Sequence, residues 1–254
     1  MQLEPASEKA PLFLFNPSPN LRTIKRLRLR FLIALVFSVF GATTQCLADV
    51  EHDFQIWTPI TLDFPINRKL RGYFEVGPRI GDGASRINQL LVRPGLEYRF
   101  TDHASLFTGY LWQSTYQYNP SKVLHEHRIW QQLLFEKDIK RLQLINRTRL
   151  EQRCFEDLAG TGNRLRHLVK GNLKLSKLFY LTTSNELFLN LNSVNDGPQR
   201  GVDQNRFFSG IGFKFGKNDR IEFGYQHQYV NRSDEFDDQA NHALIFQTYF
   251  GLLD

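Results

Sequence analysis

From Asp53 onward, segment after segment of this chain alternates apolar and polar residues with period two, and no stretch sustains the 3.6-residue apolar period of an amphipathic helix. Successive side chains of a strand point to opposite faces, so the pattern dictates strands with one apolar and one polar face. Leu90, Val92, Pro94, Leu96, Tyr98 and Phe100 share a face, opposed by Gln89, Arg93, Glu97 and Arg99. Leu142, Leu144, Thr148 and Leu150 are opposed by Arg147, Arg149, Glu151 and Arg153. Phe207, Ile211, Phe213 and Phe215 oppose Arg206 and Lys214, and Ile221, Phe223, Tyr225 and Tyr229 oppose Arg220, Glu222, Gln226 and Gln228.

Eleven segments read as strands: 53–62, 69–80, 89–101, 104–118, 124–136, 141–154, 164–175, 178–192, 205–216, 219–230 and 241–250. A tilted strand crosses a bilayer in roughly 9–11 residues, so each is long enough to span. Short polar turns at 101–103, 176–177 and 217–218 alternate with longer polar loops near 81–88, 155–163, 193–204 and 231–240. That is the pattern of short periplasmic turns and long outer loops. Single-chain bacterial barrels carry an even number of strands. Eleven therefore implies either ten, with the first segment not spanning, or twelve, with one missed. Pro59 and Pro94 each remove a ladder donor inside a strand, where a bulge is expected. In 104–118, Phe107 and Leu111 share one face while Leu106, Tyr110 and Trp112 share the other, so the apolar face is ambiguous there.

Alternation does not say which face points inward, because a soluble sandwich or a lipocalin-like barrel also alternates but buries its apolar face. Strand length, aromatics near strand ends (Tyr116, Tyr118, Phe135, Phe215, Tyr229, Phe250) and an export signal favour the membrane form. The signal comprises Arg22, Lys25, Arg26, Arg28 and Arg30, then the apolar run 31–41, then small residues at Cys46 and Ala48. The run is shorter than the roughly 20 residues of a membrane helix, so it reads as a secretory signal cut after Ala48. Residues 1–48 are thus a signal peptide with an N-terminal extension, and 49–254 a barrel domain. The net charge of +6 falls to about +2 once those residues are removed, which takes away the support for a nucleic-acid partner. Cys154 is the one cysteine after residue 48, so no internal disulfide is expected.

Several local motifs accompany this pattern: Asp53-Phe54-Gln55-Ile56-Trp57, Arg93-Pro94-Gly95-Leu96-Glu97-Tyr98-Arg99-Phe100, Gly109-Tyr110, Glu126-His127-Arg128, and Arg147-Thr148-Arg149-Leu150-Glu151-Gln152-Arg153 followed by Arg164-Leu165-Arg166. Through them the chain resembles, over roughly residues 53 to 250, the uncharacterised exported family catalogued as domain of unknown function 2490. The resemblance implies an outer-membrane barrel with no established activity.

The fold class expected is therefore all-β: an antiparallel transmembrane β-barrel of 10 to 12 strands, monomeric, in contact with outer-membrane lipid and lipopolysaccharide and inserted by the barrel-assembly machinery. Its polar face carries Arg93, Glu97, Arg99, Glu126, Arg128, Arg147, Arg149, Glu151, Arg153, Arg164, Arg166, Glu186, Arg206, Lys214, Arg220 and Glu222. A charge facing lipid costs about 2–4 kcal/mol at the midplane, which assigns these residues to the lumen. Two readings follow: a salt-bridged filling that stiffens a narrow barrel, or a basic lining that selects small anionic solutes, which the arginine excess favours slightly. If strands 124–136 and 141–154 form a hairpin with Arg128 opposite Glu151 and Glu126 opposite Arg153, unlike charges pair. Arg147 and Arg149 then face Gln132 and Trp130 and lack an acid on that neighbour.

Other candidates are weaker. In His125-Glu126-His127 the histidines share a face that Glu126 does not, so no metal is expected, nor any cofactor. Asp234, Glu235, Asp237 and Asp238 form an acidic outer loop suited to solvent or to divalent cations bridging lipopolysaccharide. Ser209 and His227, on apolar faces of one hairpin, are the best enzyme candidate, for a lipid hydrolase, but lack an orienting third group.

Overall fold

The computed structural model describes residues 50–118, 121–232 and 237–252; the signal segment and the acidic residues Asp234 and Glu235 lie outside them. These residues form twelve strand segments: β1 (Val50–Trp57), β2 (Ile60–Pro65), β3 (Leu70–Gly81), β4 (Arg86–Thr101), β5 (Ala104–Tyr118), β6 (Ser121–Ile139), β7 (Leu142–Phe155), β8 (Thr161–Lys174), β9 (Phe179–Asn190), β10 (Gly201–Lys214), β11 (Arg220–Val230) and β12 (Asp238–Gly251). From β3 to β12 each strand pairs antiparallel with the next in sequence.

Closure is made by β1 and β2 together. Both lie between β12 and β3. β1 runs parallel to β12 from Val50↔Asp238 to Trp57↔Ile245, and β2 continues the same register from Ile60↔Thr248 to Gly251↔Asp63. They are one barrel position interrupted at Thr58-Pro59, so the barrel has eleven positions and one parallel seam. The expectation of an even count fails for this reason. A parallel seam lets the first strand run the same way as the last, and no further strand is needed to remove the edges.

Neither proline produces the expected bulge. Pro59 lacks a donor, but its carbonyl accepts the Thr248 N–H at 3.0 Å, and the register is unchanged on either side. At Pro94 the β4–β5 ladder skips two pairs and resumes in register, from Val92↔Trp112 to Gly95↔Gly109. A bulge in mid-strand would turn the following side chains to the wrong face. The register shifts that do occur lie near strand ends, at Arg79/Ile80, Arg99/Thr101 and Val202/Gln204.

Among the described residues thirty-five large apolar side chains are exposed and twelve apolar residues are buried, while most interior positions are polar or charged. That is the inverse of a soluble barrel. The ambiguity of β5 has a specific cause. Phe107 and Leu111 point inward to pack with Leu91 and Trp130, whereas Leu106 and Tyr110 are exposed outside. Room for the indole comes from Gly95 and Gly109, which stand opposite each other. A Cβ on Gly109 would meet Trp130 Cζ2 at 2.6 Å.

The β6–β7 register differs by two residues from the charge-paired one. Arg128 stands opposite Arg153, Trp130 opposite Glu151 and Gln132 opposite Arg149. The turn decides it: the hairpin closes over Lys140 and Arg141 alone, with Lys140 at φ 57°, the left-handed conformation that tight hairpins require at their first central residue. Unlike charges still meet, on the diagonal. Glu126 accepts from Arg128 Nε at 2.7 Å and from Arg153 Nε at 2.5 Å.

The barrel has two unlike ends. Connections at 66–69, 102–103, 140–141, 175–178 and 215–219, none longer than five residues, share one end with the close of β12. Those at 82–85, 156–160, 191–200 and 231–237 and the short step from Tyr118 to Ser121 share the other with the start of β1, and include the two longest.

Candidate functional site

The loop-side half of the lumen is filled by ion pairs. Glu151, 1% exposed, accepts from Arg164 Nη2 at 2.7 Å and Arg166 Nη1 at 2.7 Å, with Arg128 and Arg149 each at 3.9 Å. Arg164 also donates to Asp203 at 2.8 Å, and Arg128 to Gln113 at 3.0 Å. Alternation along β6, β7 and β8 stacks these groups, because inward residues recur every second position on neighbouring strands. Above them the 191–200 loop turns inward. Asn192 bonds the Asn163 N–H at 2.7 Å and the Thr161 carbonyl at 3.0 Å, which seats the buried Val194 beside Gly162.

Across the parallel seam the filling is neutral. Trp57 Nε1 donates to Gln55 (2.7 Å), Gln55 to Asn241 (2.9 Å), Asn241 to Gln228 (3.4 Å) and Gln228 to Gln204 (2.7 Å). Gln204 in turn accepts from Arg206 Nη2 at 3.1 Å.

The turn-side half holds a chamber of about 620 Å³. Its walls include Trp57, Arg79, Arg93, Trp130, Arg149 and Arg206 deep inside and Arg99, Lys174, Lys214 and Lys217 toward the turns, but none of Gln113, Glu126, Arg128, Arg153 or Arg164. It therefore stops at the ion-paired filling. Thirteen Lys and Arg line it against seven Asp and Glu. Several are paired: Arg93 with Glu75 at 2.8 Å, Arg147 with Glu186 at 2.6 Å, and Lys170 with Glu222 at 2.6 Å. Tyr73 also donates to Glu75, and Tyr180 to Glu222 at 2.9 Å.

Of the sixteen charged residues expected inside, Arg93, Glu97, Glu126, Arg128, Arg149, Glu151, Arg153, Arg164, Arg166, Glu186 and Glu222 are buried, and Arg99, Arg147, Arg206, Lys214 and Arg220 line the chamber. The two arginines expected to lack an acid separate: Arg147 pairs with Glu186 two strands away, while Arg149 bonds Gln132 at 2.9 and 2.6 Å. Sequence reading missed Asp63, Arg71, Glu75, Arg79, Lys170 and Asp203. In β3 the alternation Arg71, Tyr73, Glu75 was present but broken by Gly72, Gly77 and Pro78, and Asp203 fell before the assigned start of its strand.

On the outer face, His125 stacks on Trp112 and bonds Ser114, and His127 bonds Tyr110 and Glu156, while Glu126 points inward. Ser209 stands opposite Tyr225 and His227 opposite Phe207, so these two are diagonal, not facing, and the His227 ring lies 5.4 Å from that of His242. Nothing in this arrangement supports a lipid hydrolase.

An eleven-position closed β-barrel with an apolar exterior and a buried salt-bridge network defines a barrel of the outer-membrane type. Residues 54–240 match the family described as Protein of unknown function (DUF2490), and the chain belongs to that family. It is similar to an uncharacterised protein of Methylorubrum extorquens, 29% identical over 185 residues that make up 71% of this chain and 80% of that one. Among solved structures it is similar to the outer-membrane expressed OmpT of Vibrio cholerae, at a TM-score of 0.38 and 13% identity, covering 68% of this chain and 60% of that one.

Proposed function

We propose that this protein is an outer-membrane barrel that does not conduct, and that its basic chamber opens to the periplasm and takes up small anionic solutes from that side. The observation that carries the membrane reading is the inverted distribution of polarity. The exterior belt runs through Phe54, Leu96, Ile129, Leu133, Val169, Ile211 and Phe223, and a lysine or arginine there would cost about 2–4 kcal/mol at the midplane. The closed lumen rests on the buried Glu126, Arg128, Glu151, Arg153 and Arg164 network beyond which the chamber does not extend. The two longest connections, 191–200 and 231–237, lie on the side away from the chamber, which supports this orientation, since outer loops are the longer ones.

The basic excess of the walls favours an anionic occupant over a purely structural filling, because a filling alone is satisfied by equal numbers of acids and bases. The test is to fractionate cells and to record the refolded mature chain in a planar bilayer. Recovery with outer membranes and electrical silence is the expected result. Recovery in the soluble fraction would overturn the membrane reading, and steady conductance steps would overturn the closed lumen.

A further inference from the structure

We infer that the deep end of the chamber is a binding site for a phosphoryl anion, with Arg79 and Arg206 as its clamp and Arg149 as the buried cation of the same chamber. The inference rests on the closed-chamber reading for the side from which the anion enters.

Three interior arginines differ from their neighbours. Where Arg93, Arg147 and Arg166 each hold a carboxylate, the side-chain hydrogen bonds of Arg79, Arg149 and Arg206 go to glutamine carbonyls. Arg79 Nη1 donates to Gln89 at 2.7 Å, Arg149 Nη2 to Gln132 at 2.6 Å and Arg206 Nη2 to Gln204 at 3.1 Å. Among the described residues no carboxylate is within ion-pair distance of Arg79 or Arg206, although Glu186, held by Arg147 and Arg166, stands opposite Arg206 in the ladder; the carboxylate paired with Arg149 is Glu151 at 3.9 Å, already shared with Arg164 and Arg166. Each guanidinium also lies against aromatic rings: Arg79 at 3.9 Å from the Trp57 ring centre, Arg206 at 4.6 Å from that of Phe188 and 5.2 Å from that of Trp57, and Arg149 at 4.6 Å from that of Trp130. A ring and an amide oxygen fix the direction of a guanidinium and leave its charge intact.

Donors remain over. Arg149 is 2% exposed and its Nη1 has no hydrogen-bond partner, nor has Arg206 Nε; the same holds for Nε of Arg93 and Arg147, so four chamber arginines keep a spare donor. A buried cation whose carboxylate is distant and shared is poorly compensated: Glu151 stands 3.9 Å from Arg149 and Glu186 stands opposite Arg206, but the first acid is already held by Arg164 and Arg166 and the second by Arg147 and Arg166. The missing charge is therefore the ligand's.

Arg79 and Arg206 both lie over the Trp57 indole and both line the chamber, and the proposed site has their forks converge there on a single tetrahedral group. A phosphoryl group offers several acceptor oxygens and up to two negative charges, which suits convergent forks better than a carboxylate that one fork saturates. Pockets for small molecules span about 300–1,000 Å³, so the chamber admits inorganic phosphate, pyrophosphate or a phosphorylated headgroup. Arg99, Lys174, Lys214 and Lys217 at the turn side would steer any of them inward.

The experiment titrates the refolded mature chain in detergent, at about 150 mM salt to screen nonspecific attraction. Inorganic phosphate, pyrophosphate and a short-chain phosphatidic acid are the probes, with acetate as control, and binding is read by calorimetry and tryptophan fluorescence. Saturable one-to-one binding of at least one phosphoryl probe, weakened about tenfold or more by Arg79→Gln or Arg206→Gln, is expected from the loss of one charged hydrogen-bond donor set. Binding of the inorganic ions assigns the site to free anions, and binding of the lipid alone assigns it to a headgroup. Absence of saturable binding for all three probes would overturn the site. So would unchanged binding in the double variant, provided that it keeps the gel mobility of the folded barrel in unheated SDS. Conductance or a soluble location would remove the preceding reading and leave this titration valid.

Discussion

Glu151 is the acid on which the loop-side filling converges, and Glu151→Gln removes its charge with almost no change of volume. Three N–H groups donate to it, Arg164 Nε at 3.1 Å, Arg164 Nη2 at 2.7 Å and Arg166 Nη1 at 2.7 Å, and two more guanidiniums stand 3.9 Å away. Hydrogen bonds to charged groups are worth about 1.5–3 kcal/mol each, but they share one carboxylate and do not add. Glutamine keeps one acceptor oxygen and turns an amide N–H toward other donors. The better guide is the cost of removing one partner from a buried pair, about 3–5 kcal/mol. A surface control is Asp138→Asn, which breaks a 3.3 Å pair with Lys174 in which both side chains are roughly half exposed; exposed pairs of this kind are worth about 0.2–1 kcal/mol. Urea unfolding of the two variants and the parent in lipid vesicles, followed by tryptophan fluorescence and by the folded band in unheated SDS gels, measures both. A loss below about 1 kcal/mol for Glu151→Gln, or one equal to that of Asp138→Asn, would refute the view that this carboxylate holds the filling together.

Two further outcomes follow from the same geometry. Gly109→Ala puts a Cβ 2.4 Å from the Pro94 carbonyl oxygen and 2.6 Å from the Trp130 ring, so it should destabilise the barrel by about 1–3 kcal/mol; Gly171→Ala meets only Leu142 at 3.7 Å and should stay within about 0.5 kcal/mol, both read by the same unfolding assay. In a Cys154→Ser background, Ala159→Cys should react with a membrane-impermeant maleimide on intact cells, whereas Arg141→Cys should react only after the outer membrane is opened; the reverse labelling would invert the barrel in the membrane.

Much of the architecture was legible in sequence because it is local. Period two places Leu96, Tyr98 and Phe100 on one face and Arg93, Glu97 and Arg99 on the other whatever the strand pairs with, so strand positions and the membership of the charged face follow from order along the chain. The short turns are local too, whereas the interruption at Pro59 reads in sequence as a bulge inside one strand, because a missing donor is visible there but the backbone's response to it is not. What sequence could not supply is long-range. The parallel seam joins Val50 to Asp238, and nothing near either residue announces it. The β6–β7 register was set by a two-residue turn at Lys140 and Arg141 against the more obvious opposition of charges, since backbone closure fixes the ladder and long side chains can then reach an acid on the diagonal. Partner choice belongs to the tertiary structure for the same reason. Arg147 and Arg149 are two residues apart and alike in sequence context, yet curvature brings Glu186 within 2.6 Å of the first, while the second holds a glutamine and an indole and stands 3.9 Å from the already shared Glu151. Alternation thus determines which side chains enter the lumen, whereas closure of the sheet decides which of their charges are neutralised there.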